Sequence, residues 1–331
     1  MPRIDTADDE LLSIRAAELY YDEDKTQDEV GAILGLTRWK VGRLLAAARE
    51  NGYIRIEIVH PRARKLALER QLRERHGLTD AVVVPVAGAR SESELRERVA
   101  QGAADYLAAL RPVPRMLGIS WGRTLHDVAT LLGEQWAVGV DVVQVNGGVS
   151  VNQRAGTAAA TAVEIARKAS GEATLLPSPA ILERVETKTS IENDRTVAAV
   201  LDEAAAAAAY LFSAGPATHS SAHIQSGYLT TGEMDELVRR GAVGDVWGRY
   251  INAEGMIVDP ALDQRTLGLG LTSLQHASTA ILVVSGESKH AVTRAIVRNG
   301  LCTALVTDEA TALDLLTDTF GDDPDDKDNN D

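Results

Sequence analysis

The stretch LGISWGRTLHDVA, residues 117–129, places an apolar run before Ser120-Trp121-Gly122-Arg123-Thr124 and a helical periodicity after it. A strand, a glycine turn and a helix start follow from that pattern. Backbone N–H groups of Trp121, Gly122 and Arg123, with the hydroxyls of Ser120 and Thr124, suit an anion at a helix N-terminus. Arg123 adds a guanidinium fork. Further turns of this kind close other apolar runs: Asn146-Gly147-Gly148, Ser213-Ala214-Gly215-Pro216 and Ser285-Gly286-Glu287-Ser288-Lys289. Between them lie Ser220, Ser221 and the loop Gly244–Gly248. Trp121 offers a face for the C–H side of a sugar ring, Asp245 suits hydroxyls, and Lys289 suits a phosphate, carboxylate or carbonyl. A lysine at a helix start opposes the helix dipole, so a compensating role is expected there. His219 and His223 stand at i, i+4, but in a stretch rich in Ser and Gly, so no metal site is expected. No cofactor is expected either.

A second constellation lies near the N-terminus. TQDEVGAILGLTRWKVGRLL, residues 26–45, has helix-turn-helix spacing. Thr26 and Glu29 form a capping box. Val30, Ile33 and Leu34 make a buried face, and Gly35 ends the helix with a left-handed turn. Thr37 caps a third helix, Arg38 to Glu50, with Val41, Leu44, Leu45 and Ala48 inward. The residues expected to face DNA are Thr26 and Gln27 on the first of these helices and Thr37, Arg38, Trp39, Lys40 and Arg43 on the second. Arg38 can pair with guanine; Lys40 and Arg43 can read bases or neutralise phosphates.

The elements that must position these residues follow from the rest of the chain. Its 331 residues suffice for two domains. The net charge of −14 argues against nucleic acid, but from Leu36 to Arg75 eleven Lys/Arg face four Asp/Glu. The mean hides a basic segment. Cys302 is the only cysteine, which excludes an intrachain disulfide and fits a reducing cytoplasm. No secretory leader or membrane-spanning run is evident.

Residues 1–60 are expected to form the helical DNA-binding domain, with Tyr53–Val59 alternating as a wing strand. Residues 61–77 carry a basic helix, Arg62–His76, open to three roles: linker, dimer seam, or first helix of the next domain. Residues 78–318 alternate between apolar strands and amphipathic helices. Strands are expected at 81–86, 116–119, 140–145, 173–176, 210–213, 280–284 and 303–306. Helices are expected at 92–110, 124–132, 157–169, 194–208 and 289–299. This is an α/β domain with a parallel sheet covered on both faces, whose ligands sit at the carboxyl ends of the strands. Residues 319–331, within an Asp-rich end, read as a disordered tail.

Three functions compete. One is a DNA-binding regulator controlled by a small ligand. Another is a sugar-phosphate isomerase or deaminase with an appended helical domain and Asp245 as base; it needs a second titratable group within reach, and no spacing supplies one. The third, an architectural DNA binder, leaves the ligand-type turns without a purpose.

LYYDEDKTQDEVGAILGLTRWKVGRLLAAARENGYIRIEI, GISWGRTL, VVQVNGGVS, HIQSGYLT, GAVGDVWGRYINAEG, LDQRTLGLGL, VSGESKHAVTRAIVRNG and ALVTDEATALDLL follow in that order. Together they resemble the SorC/DeoR-type sugar-binding transcriptional regulators of bacteria, over roughly residues 10–318. The resemblance implies a winged helix-turn-helix domain joined to a phosphosugar-isomerase/CoA-transferase-like domain. It also implies a cytoplasmic homotetramer or dimer of dimers whose hold on operator DNA is controlled by a sugar, polyol or sugar phosphate. The effector pocket it implies is Ser120 to Thr124, Asn146 to Gly148, the Gly215–Ser221 loop, Asp245, Arg265 and Lys289. Members with a phosphate cradle often carry Gly-Gly-Thr-Thr where this chain has Trp-Gly-Arg-Thr, so phosphorylated and neutral effectors both stay open. In the recognition helix, Thr37 and Gly42 replace the usual serines.

Overall fold

A computed structural model describes residues 7–54, 64–148 and 158–317. They form two compact units divided between Ile58 and Val59.

The first unit contains helices Ala7–Ala17, Gln27–Leu34 and Arg38–Glu50, with a π-helical turn at Glu18–Asp22. Their inner faces bury Ala16, Leu19, Val30, Val41, Leu44, Leu45 and Ala48. The local chemistry sets each boundary. The Thr26 hydroxyl accepts from the Glu29 N–H while the Glu29 carboxylate accepts from the Thr26 N–H. Gly35 takes the left-handed conformation at the helix end, and the Thr37 side chain accepts from the Lys40 N–H at 3.3 Å. The expected wing strand lies, beyond Ile54, outside the described residues, as do Arg62 and residues 319–331.

In the second unit a seven-stranded sheet comprises β1 (Asp80–Val84), β2 (Met116–Ile119), β3 (Asp141–Gln144), β4 (Ala173–Thr174), β5 (Ala209–Phe212), β9 (Thr279–Val283) and β10 (Ala304–Asp308). All pairings are parallel, in the order β1-β10-β9-β5-β2-β3-β4. A small antiparallel sheet joins β6 (Ala214–Pro216), β7 (Gly244–Val246) and β8 (Arg249–Ile251). Alternation along each strand feeds two cores. Val82, Leu117, Ile119, Leu211 and Val283 meet helices Glu92–Ala109, Arg123–Leu131 and Ala158–Lys168. Ala81, Val83, Tyr210, Phe212 and Leu282 meet helices Arg195–Ala205, His290–Arg298 and Glu309–Thr317 on the other face. A strand covered on both faces needs no polar positions, hence the continuous apolar runs.

Seven strands fall where the apolar runs place them, with ends shifted by one or two residues. Helices Val185–Glu192, Thr231–Arg239 and Glu309–Thr317 and the small sheet had no prior expectation. The strands of the small sheet have three residues each, too short for a periodicity of two to register.

Of the three roles open to the basic helix, its packing is that of the first helix of the sheet unit. It begins at Leu66, and Leu72 is fully buried in the sheet core. The buried Glu69 carboxylate accepts from the Val83 N–H at 3.0 Å and from the Arg64 guanidinium at 2.8 and 2.7 Å. The Lys65 N–H donates to the Val83 carbonyl at 2.8 Å. Together these cover the free edge of β1, which would otherwise present unpaired backbone groups.

Candidate ligand crevice and nucleic-acid interface

Strand β2 has β3 on one side and β5 on the other, and β5 is followed outward by β9. The chain therefore leaves β2 and β5 in opposite directions, and a crevice opens at their carboxyl ends. The loops after β2, β5 and β9 ring a cavity of about 200 Å³ there.

Two glycines shape its floor. Gly122, at φ 140°, precedes helix Arg123–Leu131; Gly286, at φ 91°, precedes the 3-10 turn Glu287–Lys289 that runs into helix His290–Arg298. Side chains other than glycine's rarely adopt these angles. Neither helix start has a side-chain cap, so N–H groups remain for an anion. The Asp308 carboxylate at the end of β10 fixes the second loop, accepting from the Gly286 N–H at 2.9 Å.

Three cations line the crevice: Arg96, Arg123 and Lys289. Arg96 is held by Asp127 at 2.6 Å. Arg123 is exposed, with no ion pair among the described residues. Lys289 reaches the Ser213 hydroxyl at 3.4 Å. Burial pushes its ammonium down to about 8; Arg123 and then Arg96 add to that effect, and Asp245 opposes it.

The polar wall comes from the small sheet. Asp245 sits before the two-residue turn Trp247-Gly248, and its carboxylate accepts from the Gly248 N–H at 3.0 Å. Gly215 faces it so closely that an added Cβ would lie 2.1 Å from an Asp245 carboxylate oxygen. His223 is buried, with Nδ1 3.1 Å from the Tyr250 hydroxyl and 3.9 Å from Asp245; its Nε2 has no hydrogen-bond partner among the described residues. Burial and the Asp245 charge push the Tyr250 phenol up. The Trp121 indole donates to the Gly147 carbonyl at 2.8 Å and stands edge-on to His223, which makes it a fixed wall.

The crevice brings together Trp121, Gly122, Arg123, Thr124, Gly215, Ser220, Ser221, Asp245 and Lys289. Five expected contacts do not line it. Ser120 is buried, its N–H on the Leu211 carbonyl. Asn146 is buried and bridges to Gly268. Gly147 supports Trp121 from behind, and Gly148 accepts from the Tyr228 hydroxyl at 3.2 Å. Arg265 donates to the Leu182 carbonyl at 3.1 Å and lies along a different depression, beside Glu233 and Asp259. These residues buttress loops or sit apart.

Sequence reading missed Glu92 and Arg96, because only the topology brings the start of their helix over the crevice. The two histidines go separate ways: His219 pairs with Asp235 at 2.7 Å, whereas His223 turns to Tyr250.

In the helical unit Arg38 and Trp39 are largely exposed, and the Arg43 guanidinium lies 5.0 Å from the Trp39 ring centre. Arg38 also pairs with Asp28 at 3.3 Å. Lys40 departs from expectation: its ammonium turns back to Asp9 at 3.1 Å and is half-buried. It joins the recognition helix to the first helix instead of projecting outward. Thr26 and Thr37 spend their hydroxyls on caps, and Gln27 is partly buried close to Gly42.

A helix-turn-helix unit followed by a parallel-sheet unit with a cation-lined crevice at its switch point defines a class: transcriptional regulators that carry a small-molecule domain. The comparisons name the family. The sugar-binding domain family Sugar-bind matches residues 60–317. The deoxyribonucleoside regulator of Bacillus subtilis is 30% identical over 308 residues, covering 93% of this chain and 97% of the relative. The sorbitol operon regulator of Klebsiella pneumoniae is 28% identical over 318 residues, covering 95% and 100%. The full-length crystal structure of that regulator, SorC, superposes with a TM-score of 0.71 at 27% identity, covering 94% and 100%. The chain belongs to the SorC/DeoR-type bacterial transcriptional regulators. Among its described residues, no helix is long and apolar enough to cross a membrane.

Proposed function

We propose that the chain binds operator DNA through Arg38, Trp39 and Arg43, and that a phosphorylated sugar in the crevice sets its affinity. The observation that carries the effector class is the pairing of two uncapped helix starts with Arg123 and Lys289, neither in an ion pair among the described residues. A phosphate there gains helix-dipole and charge-assisted hydrogen bonds together. Asp245, Ser220 and Ser221 take hydroxyls, and Trp121 takes an apolar ring face. Regulation follows from linkage: the effector binds one arrangement of a homo-oligomer, a tetramer or dimer of dimers in the cytoplasm, better than another. The protein acts by binding and not by catalysis, in keeping with relatives named as regulators.

The test is a thermal-shift panel of free sugars and polyols beside their phosphate esters, on wild type and Arg123→Ala. A ligand that favours the native state raises Tm with concentration. The expected hit is a phosphate ester whose effect disappears in the variant. A free sugar that works equally well on both proteins would sink the phosphate reading.

A further inference from the structure

The three cations at the start of the recognition helix have different fates, and each fate is set by a neighbour. Lys40 is held by Asp9, 31 residues away in the chain, and only about a third of its side chain is exposed. Arg43 lies over the Trp39 ring. Arg38, with 70% of its side chain exposed, is tied by one guanidinium nitrogen to the Asp28 carboxylate at 3.3 Å. Asp28 stands in the first turn of the preceding helix, where a negative charge suits the dipole. That accounts for an acid at this position. It does not account for a contact with an arginine ten residues on.

An exposed arginine is a rotamer-rich side chain, and fixing it on a base costs conformational freedom. One contact to Asp28 leaves the other nitrogens of the planar fork free to donate to a base edge. From this geometry we infer that Asp28 is a positioning residue for sequence readout. It holds the Arg38 fork ready for a guanine, while Lys40 takes no part in reading bases. This rests on the DNA-binding role assigned to Arg38 above.

Loss of the Asp28 carboxylate should act opposite in sign to simple electrostatics. Asp28 is an exposed negative charge beside a DNA-binding surface, so its removal should by charge alone strengthen binding to every sequence. As a positioning residue, its truncation should weaken discrimination instead.

The experiment uses the full chain. Wild type first selects sequences from a random duplex pool; its affinities for the selected duplex and a scrambled one are then measured at fixed salt. The same pair is measured for Asp28→Ala and Asp28→Asn. The amide keeps an acceptor for the guanidinium but loses the charge. The ratio of selected to scrambled affinity should fall roughly 3- to 10-fold in Asp28→Ala, part of the discrimination a bidentate contact provides. It should stay within about twofold of wild type in Asp28→Asn, while both affinities rise. Equal strengthening on both duplexes in Asp28→Ala, with the ratio unchanged, would overturn the inference and leave Asp28 as a dipole partner only. Failure of wild type to select any sequence would instead remove the DNA-binding reading itself.

Discussion

The two units treat their cations in contrasting ways. In the helical unit Arg38, Lys40 and Arg43 each have a partner: Asp28, Asp9 and the Trp39 ring. In the crevice Arg123 has no carboxylate partner among the described residues, and Lys289 is half-buried, its ammonium pushed down by burial and by Arg123 and Arg96 against the pull of Asp245. The first arrangement is ready before its partner arrives. The second is unfavourable until an anion arrives, and that deficit is what makes binding selective for charge.

The sharpest way to break this comparison is to remove the crevice lysine. Lys289→Met should weaken a phosphorylated effector by about 2–5 kcal/mol, as expected for truncating one side of a desolvated charge pair. Operator affinity without effector should not change. Titration calorimetry and an electrophoretic shift check the two halves; equal losses in both would mean the sites are not separate.

The same residue gives a pH dependence. The folded-state pKa near 8 lies below the ordinary lysine value of 10.5. Below about pH 8 the native state carries a charge it disfavours, so Lys289→Met should raise the Tm of the ligand-free protein at pH 7. Between 8 and 10.5 the unfolded chain binds more protons, wild-type stability gains, and the difference should shrink. Effector affinity should run the other way and decline as pH passes 8. A Tm difference constant from pH 7 to 10 would show that Lys289 is not desolvated.

In the helical unit, Arg38→Ala should cost about 1–3 kcal/mol on the selected operator and leave effector binding intact. Unchanged operator affinity would take Arg38 out of the readout and leave Trp39 and Arg43 as the base-contacting pair.

How much of this was legible in the chain depends on how local the cause was. The capping box at Thr26, the left-handed Gly35 and the start of the recognition helix at Arg38 are settled by residues within one helical turn. The parallel strands were visible because a strand buried on both faces is apolar through most of its length, as at residues 81–84 and 280–283. The lining of the crevice was visible where a turn follows its own strand, as at Gly122 and Lys289. Arg96 was not, since its place depends on the crossing of a helix over strands far away in sequence. Arg265, placed in the pocket by the resemblance alone, misled because its guanidinium is taken up by the Leu182 carbonyl. Lys40 misled similarly: helical geometry puts it on the recognition surface, and only the packing of the first helix, bringing Asp9 to 3.1 Å, turns it away.

That last residue allows the finest test of the contrast. An arginine or lysine that neutralises a phosphate releases about one counterion, so its loss lowers the slope of log affinity against log salt by about 1. Arg43→Ala should show that change, because its guanidinium remains exposed over Trp39. Lys40→Met should not, because the ammonium is already compensated by Asp9, and its loss should act instead on stability. The effect there is small, since half-exposed pairs contribute roughly 0.2–1 kcal/mol. If Lys40→Met lowers the salt slope as much as Arg43→Ala, the Asp9 pair opens on DNA. Only Arg38 and Arg43 would then be held in place before DNA arrives.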